Sequence, residues 1–72
     1  MMPLALLGVG ESGTITDIRG KEDVIHHLHN LGFAAGTDVE VVGNTDAGMI
    51  IAVKGSRVAL NRGRASKITV NR

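Results

Sequence analysis

The chain has 72 residues with no cysteine, tryptophan or tyrosine and one phenylalanine, and its eight lysines and arginines nearly balance seven aspartates and glutamates. A chain of this length buries only about 60% of the surface that its unfolded form exposes, so we expect one small domain, residues 1–72, with a thin core. The lack of cysteine excludes disulfides and thiolate zinc sites, and the lack of aromatic rings argues against the stacking platforms of single-strand nucleic-acid binders. Aliphatic packing, with or without self-association, must supply the stability.

The N-terminal segment is apolar but short. No stretch of the chain approaches the roughly 20 apolar residues that cross a bilayer. Met1–Gly8 begins with no charged segment and has no convincing cleavage site, unlike a signal peptide. We therefore expect a cytoplasmic protein without membrane insertion, whose first residues belong to the fold.

The first predicted elements are a strand and a helix. Ser12–Ile18 is rich in β-branched residues, which predicts a strand. Its apolar residues Ile15 and Ile18 are three positions apart, so alternation fails and a bulge is expected. A short helix over Lys21–Leu31 is indicated by an apolar stripe at i, i+4 and i+7 and by a following glycine suited to a left-handed cap. These residues are Val24, Leu28, Leu31 and Gly32.

The remaining chain favours further short strands. Alternation or continuous apolar character predicts strands over Asp38–Val42, over Met49–Val53, around Val58 and Leu60, and around Ile68 and Val70. They are separated by a composition-defined loop at Gly43–Gly48, a tight turn at Lys54–Ser56 and a short connection at Asn61–Ser66. About five antiparallel strands, with one helix after the first, cannot leave both edges of an open sheet exposed. The pattern therefore predicts a mostly β fold, a small and partly open barrel.

One glycine-rich segment imitates a nucleotide-binding motif. Gly8-Val9-Gly10-Glu11-Ser12-Gly13 matches the dinucleotide fingerprint G-x-G-x-x-G. That fingerprint works only between a strand and the helix whose N-terminus holds the pyrophosphate. Here a turn precedes the glycines and a strand follows them, so we interpret the segment as a turn into the first strand.

The predicted helix carries a candidate metal site. At about 100° per residue, Glu22, His26 and His29 gather within roughly 60° of one another, opposite the apolar stripe. Imidazole and carboxylate groups at these spacings can bind a divalent transition metal weakly, with water or another molecule completing its coordination. The alternative is a helix face that simply contacts water. No nucleophile with a neighbouring base and no carboxylate pair accompanies these residues, so we expect no enzyme and no required cofactor.

Charge is distributed unevenly along the chain. Every charged residue from Lys54 onward is basic, and all seven acids precede it. The basic end predicts a docking surface for an acidic partner, a membrane or a nucleic acid; alternatively, it is a solvated face balanced by the acidic half. Strand alternation and loop placement expose Arg57, Arg62 and Arg64, which are the candidate partner-binding residues.

Taken in order, these segments resemble a known family. Gly10–Ile15, then Leu28-His29-Asn30-Leu31-Gly32-Phe33, then Ala35–Val41, are similar to the ferrous iron transport protein A (FeoA) family. The resemblance continues through Ile51–Leu60, with its Val-x-Gly-x-x-Val-Ala-Leu pattern, and through Ala65–Val70. Family members often carry arginines just before Leu-x-x-Leu-Gly, where this chain has Ile25, His26 and His27.

The resemblance implies both a fold and a function. It implies an SH3-like β-barrel with an inserted helix, in a cytoplasmic accessory that contacts the membrane ferrous iron transporter and its GTP-binding portion. A metal-binding protein using the helix cluster is the second hypothesis. Nucleic-acid binding by a small barrel is a third hypothesis, and the missing aromatics count against it.

Overall fold

The computed structural model describes residues 1–72, and every strand pairing in it is antiparallel. The strands are β1 (Met2–Pro3), β2 (Ser12–Ile18), β3 (Asp38–Thr45), β4 (Gly48–Val53), β5 (Ser56–Leu60) and β6 (Ile68–Asn71). The helices are α1 (Glu22–Asn30) and α2 (Arg62–Ala65), with a 3-10 helix at Leu4–Leu6. No helix combines the length and apolar character that crossing a membrane requires.

The six strands form one sheet in the order β1-β6-β2-β3-β4-β5. β6 therefore lies between the first two strands of the chain, where Val70 pairs with Met2 on one side and with Ile15 on the other. β3, β4 and β5 follow as two consecutive hairpins. The sheet curls around its core, but it is not closed, because β1 and β5 stand at its two ends.

A single cluster of apolar side chains fills the inner face of the sheet. Alternation over Asp38–Val41 and Met49–Val53 puts residues such as Val39, Val41 and Ile51 inward, and Leu28 and Phe33 cover the cluster from the helical side. Fully burying one such aliphatic or phenyl side chain contributes about 1.5–3 kcal/mol. No polar or charged residue is buried, so the core consists of apolar side chains.

The predicted helix is confirmed together with its cap. Gly32 has φ +103°, which favours glycine because a side chain would be strained there. The Phe33 amide donates to the Leu28 carbonyl (3.0 Å) and the Gly32 amide to the His29 carbonyl (3.0 Å). This pair of bonds is the Schellman arrangement that satisfies the last carbonyls of a helix. It also turns Phe33, the single aromatic ring, directly into the core.

The predicted bulge in the first long strand is confirmed as well. The register between β2 and β6 shifts between Ile15 and Asp17. A second shift, which the sequence did not predict, lies in β3 between Val41 and Gly43. Each extra residue bends its strand and increases the local twist, which lets a short sheet wrap around a small core.

Three local predictions need correction. Gly43–Gly48 is not a loop: β3 and β4 continue through it by pairing Asn44 with Met49 and Thr45 with Gly48, which leaves only a two-residue turn. Cross-strand pairing overrides the weak strand propensity of this polar segment. The connection at Asn61–Ser66 contains α2, and the N-terminal segment adds a sixth strand that pairs with β6.

Candidate functional site

The glycine-rich segment before β2 is a closed turn. The Glu11 amide donates to the Gly8 carbonyl (3.0 Å), and Gly10 adopts φ +90°. The Gly8 amide donates to Glu11 Oε1 (2.6 Å), and the Gly10 amide donates to the Val41 carbonyl (2.8 Å). These amides are already used within the protein, and β2 follows them. The segment therefore lacks the helix N-terminus that holds a pyrophosphate, and three of its amides are already bonded within the protein.

The three candidate arginines occupy two different elements. Arg57 is exposed on β5, where its neighbours Val58 and Leu60 turn toward the core. Arg62 and Arg64 belong to α2, a single helical turn that is capped when the Arg64 amide donates to Asn61 Oδ1 (2.8 Å). The cap explains why this short segment is helical in the absence of any apolar period.

The structure does not gather these arginines on one face. Arg62 and Arg64 are about 200° apart around α2, since each residue advances a helix by about 100°. Arg62 is exposed, and its Nη2 donates to Asn44 Oδ1 at 3.4 Å, whereas Arg64 is half-buried. Arg57 is three residues before Leu60, the last residue of β5, which is a distance of about 10 Å along the strand.

Three exposed basic residues lie on or directly beside β5. Lys54 occupies the turn between β4 and β5, Arg57 lies within β5, and Arg62 follows it; all three are exposed. We call these three residues the β5 strip. Lys54 was not among the predicted site residues, because its importance depends on β5 being an edge strand, which the local sequence does not indicate. Neither Lys54 nor Arg57 makes an ion pair or a side-chain hydrogen bond, as the single ion pair in the molecule joins Arg72 and Glu11.

That ion pair was not predicted, since 61 positions separate its partners. Arg72 Nη2 lies 2.6 Å from Glu11 Oε2, while the other carboxylate oxygen of Glu11 accepts from Gly8. One side chain thus fastens the turn before β2 and the end of β6. Its role is structural, and it takes Arg72 out of the set of free bases.

The helix cluster is positioned as its spacing predicts. Glu22, His26 and His29 are all exposed, while Leu28 is buried on the opposite side of α1. No group of three or more histidine, aspartate or glutamate side chains is placed so that it could hold a metal ion together. A metal site on α1 stays a prediction, and it would need side-chain rearrangement or ligands from outside the chain. No pocket opens on the surface.

Architecture alone places the protein in a class, that of small SH3-like domains. A zinc-bound FeoA from Stenotrophomonas maltophilia, described as a prokaryotic SH3 domain protein, shares the fold with a TM-score of 0.83 and 23% identity, over 99% of this chain and 91% of that one. The SH3-like fold predicted from the sequence is confirmed by this likeness.

Sequence comparison narrows the class to one family. The FeoA domain model matches residues 2–72, so the chain belongs to the FeoA family. A relative from Methanocaldococcus jannaschii, named as Fe(2+) transport protein A, is 34% identical over 70 residues, which cover 97% of this chain and 85% of the relative. The crystal structure of an iron uptake regulatory protein (FeoA) matches with a TM-score of 0.89 and 28% identity, over 97% of this chain and 93% of that one.

Proposed function

We propose that this protein is a cytoplasmic accessory of ferrous iron uptake that docks on the cytoplasmic, GTP-binding portion of the membrane ferrous iron transporter. It acts by contact and catalyses no reaction itself. The observation that carries the proposal is the β5 strip, three exposed basic residues on and beside one edge strand, in a member of a family linked by name to iron transport.

The state of the basic side chains supports a docking role. Lys54 and Arg57 are solvent-exposed and unpaired, and Arg62 makes only a long contact to an asparagine. No intramolecular partner has to be broken before these charges meet an acidic surface. Charges on the rim of an interface mainly raise the rate of encounter and fix the orientation of the partners, and their effect weakens with salt.

The test is a binding measurement between the purified protein and the transporter's cytoplasmic portion. Changing the three residues of the β5 strip, Lys54, Arg57 and Arg62, together to glutamate should weaken binding at least about tenfold and flatten its dependence on salt. A matched control changes the exposed bases Arg19, Lys21 and Lys67 to glutamate, which gives the same net charge on other parts of the surface. Undiminished binding of the first variant would rule out the basic surface, and an equal loss in both would reduce the effect to net charge.

A second candidate function is transition-metal binding on α1. The observation in its favour is that Glu22, His26 and His29 are all exposed on one side of the helix, free to turn toward a cation. The S. maltophilia FeoA with the same fold was crystallised in complex with zinc, which supports the proposal. Binding should release protons and weaken as the solution is acidified, because protons compete with the metal for imidazole nitrogens.

Titration calorimetry with Zn²⁺ tests the helix site. A His26→Ala/His29→Ala variant should lose most of the heat of binding, whereas a His27→Ala variant, altered on a different side of the same helix, should keep it. Identical isotherms for wild type and the double variant would dismiss the helix site while leaving the docking proposal untouched.

A further inference from the structure

The free edge of β5 presents unpaired backbone groups in a predictable order. β5 is the last strand of the sheet and pairs only with β4. Lys54 (φ 50°) and Gly55 (φ 78°) form a two-residue turn with both residues left-handed, so Val53 and Ser56 exchange hydrogen bonds across it. Hydrogen-bonded and non-bonded pairs then alternate along the ladder, which points the N–H and C=O groups of Arg57 and Ala59 away from β4.

Nothing else in the protein covers these groups. No backbone hydrogen bond outside the ladders and no side-chain hydrogen bond uses the backbone of Arg57 or Ala59. Both residues are exposed. A free edge of this kind is a template for one more strand, because each pair of outward groups can bond to an extended chain laid beside it.

The charges beside the edge decide which chain fits there. A second copy of β5, paired antiparallel so that Arg57 faces either its own copy or Ala59 of the copy, would bring two Arg57 side chains onto the same face, directly opposite or two positions apart, which is unfavourable. On that outer face, Ala52 of β4 separates Arg57 from Glu40 of β3, so no acid adjoins the guanidinium. Lys54 and Arg62 extend the positive charge to both ends of the strand. An acidic strand is attracted where a copy of this chain is repelled.

We propose that the β5 edge binds an extended acidic segment of a partner protein by strand addition. The backbone of that segment pairs with Arg57 and Ala59, and its aspartates or glutamates at alternate positions lie on the outer face beside the β5 strip. For its natural partner the inference rests on the docking proposal above. The edge geometry itself is independent of that partner's identity.

Amide hydrogen exchange followed by NMR shows directly which amides of β5 are hydrogen-bonded. In the free protein the amides of Arg57 and Ala59 should exchange fast, while those of Val58 and Leu60, which bond to β4, exchange slowly. The probe is a ten-residue peptide that alternates threonine and glutamate, so that all its carboxylates lie on one face when it is extended. Saturation with this probe should slow exchange at Arg57 and Ala59 specifically.

Two variants and their controls separate backbone pairing from charge. Ala59→Pro removes an outward N–H without affecting the hydrogen bonds to β4, and its ring blocks the approach of a partner strand. It should therefore lower the affinity for the probe peptide at least about tenfold. Ala59→Thr keeps the N–H and should bind like the wild type. Arg57→Glu should weaken binding by a similar factor, whereas Arg19→Glu should not, and a threonine–lysine peptide should not bind.

The outcomes divide cleanly. Absence of probe binding up to about 1 mM, protection of amides elsewhere, or equal binding by Ala59→Pro would overturn the edge site, as would dimerisation of the wild type through β5. Transporter binding that persists in Ala59→Pro would overturn strand addition while sustaining the docking proposal. Probe binding at Arg57 and Ala59, combined with no transporter binding, would sustain the edge and contradict that particular partner.

Discussion

The two edges of the sheet differ in how they are protected. β1 is only two residues long, contains Pro3, which has no N–H, and gives way at once to the 3-10 helix. β5 has five residues, pairs with β4 along its whole length, and carries Arg57 as the charged side chain on its outer face. Proteins commonly blunt sheet edges by shortness, by proline or by charge.

This difference separates a closed edge from a selective one. Shortness and a missing donor exclude any incoming strand, whatever its sequence. A charge excludes only strands of like charge, and it favours strands of opposite charge. The β1 edge therefore does not accept a further strand. The β5 edge retains its outward hydrogen-bonding groups, and its positive charge repels basic strands and attracts acidic ones.

The end of β5 packs closely against Gly48, and substitution of this glycine should have the largest effect on the free energy of unfolding. Gly48 has φ +150°, and a Cβ there would collide with the Leu60 carbonyl oxygen and lie 2.8 Å from Asn61 Cα. Gly48→Ala should lower the free energy of unfolding by about 3 kcal/mol or more, because backbone strain and a backbone clash add up. Urea denaturation followed by circular dichroism measures it, as the chain has no tryptophan or tyrosine to report by fluorescence.

The control for that substitution is another glycine of the same β3–β4 hairpin, Gly43. A Cβ on Gly43 would meet Ile50 at an ordinary 3.7 Å. Gly43→Ala should stay within about 1 kcal/mol of the wild type. Equal stability of the two variants would show that β5 does not need close approach of its end to Gly48.

The β1 side should respond more mildly, at Glu11. Glu11→Ala removes the acceptor for the Gly8 amide and the ion pair with Arg72. We expect a loss of about 1–2 kcal/mol in the free energy of unfolding. Glu11→Gln keeps an oxygen for the amide and should recover at least half of it, since an exposed ion pair contributes little. A glutamine variant as unstable as the alanine variant would assign the effect to charge instead.

The turn that begins β5 should yield a small gain. Lys54 is the one residue other than glycine with a positive φ, +50°. Lys54→Asn should raise the free energy of unfolding by about 0.5 kcal/mol, because asparagine followed by glycine suits this turn. Lys67→Asn, which removes an exposed lysine outside the hairpin, should give no gain. A gain of the same size in both variants would point to charge and not to the turn.

The smallest effect on stability should come with the clearest effect on association. Arg57→Val should change the free energy of unfolding by no more than about 0.5 kcal/mol, yet it should promote self-association in sedimentation experiments because the repelling charge is gone. Pro3→Val at the other edge should behave like the wild type, since β1 is too short to template a strand. Association of the Pro3 variant would break the distinction between the edges.

Much of the candidate site could be predicted from local sequence, but its arrangement could not. The alternation of Val58 and Leu60 correctly predicted that Arg57 is exposed. The helical period correctly predicted the same for Glu22, His26 and His29. Arg64 was predicted to be exposed but is half-buried. The sequence could not indicate this, because α2 is a capped turn too short to show a helical period. The role of Lys54 beside Arg57 and Arg62 depends on β5 being an edge, which no local pattern indicates.

Some features of this protein follow from local physical chemistry and can be predicted from the chain alone. The apolar stripe and Gly32 set the bounds of α1, and the alternation in β3 and β5 selects the side chains that enter the core. Other features depend on the tertiary fold: β6 lies between β1 and β2, Gly43–Gly48 extends as a hairpin, and β5 keeps a free edge. Those outcomes depend on pairing between residues far apart in the chain, such as Met2 with Val70, and on how a single small core is enclosed.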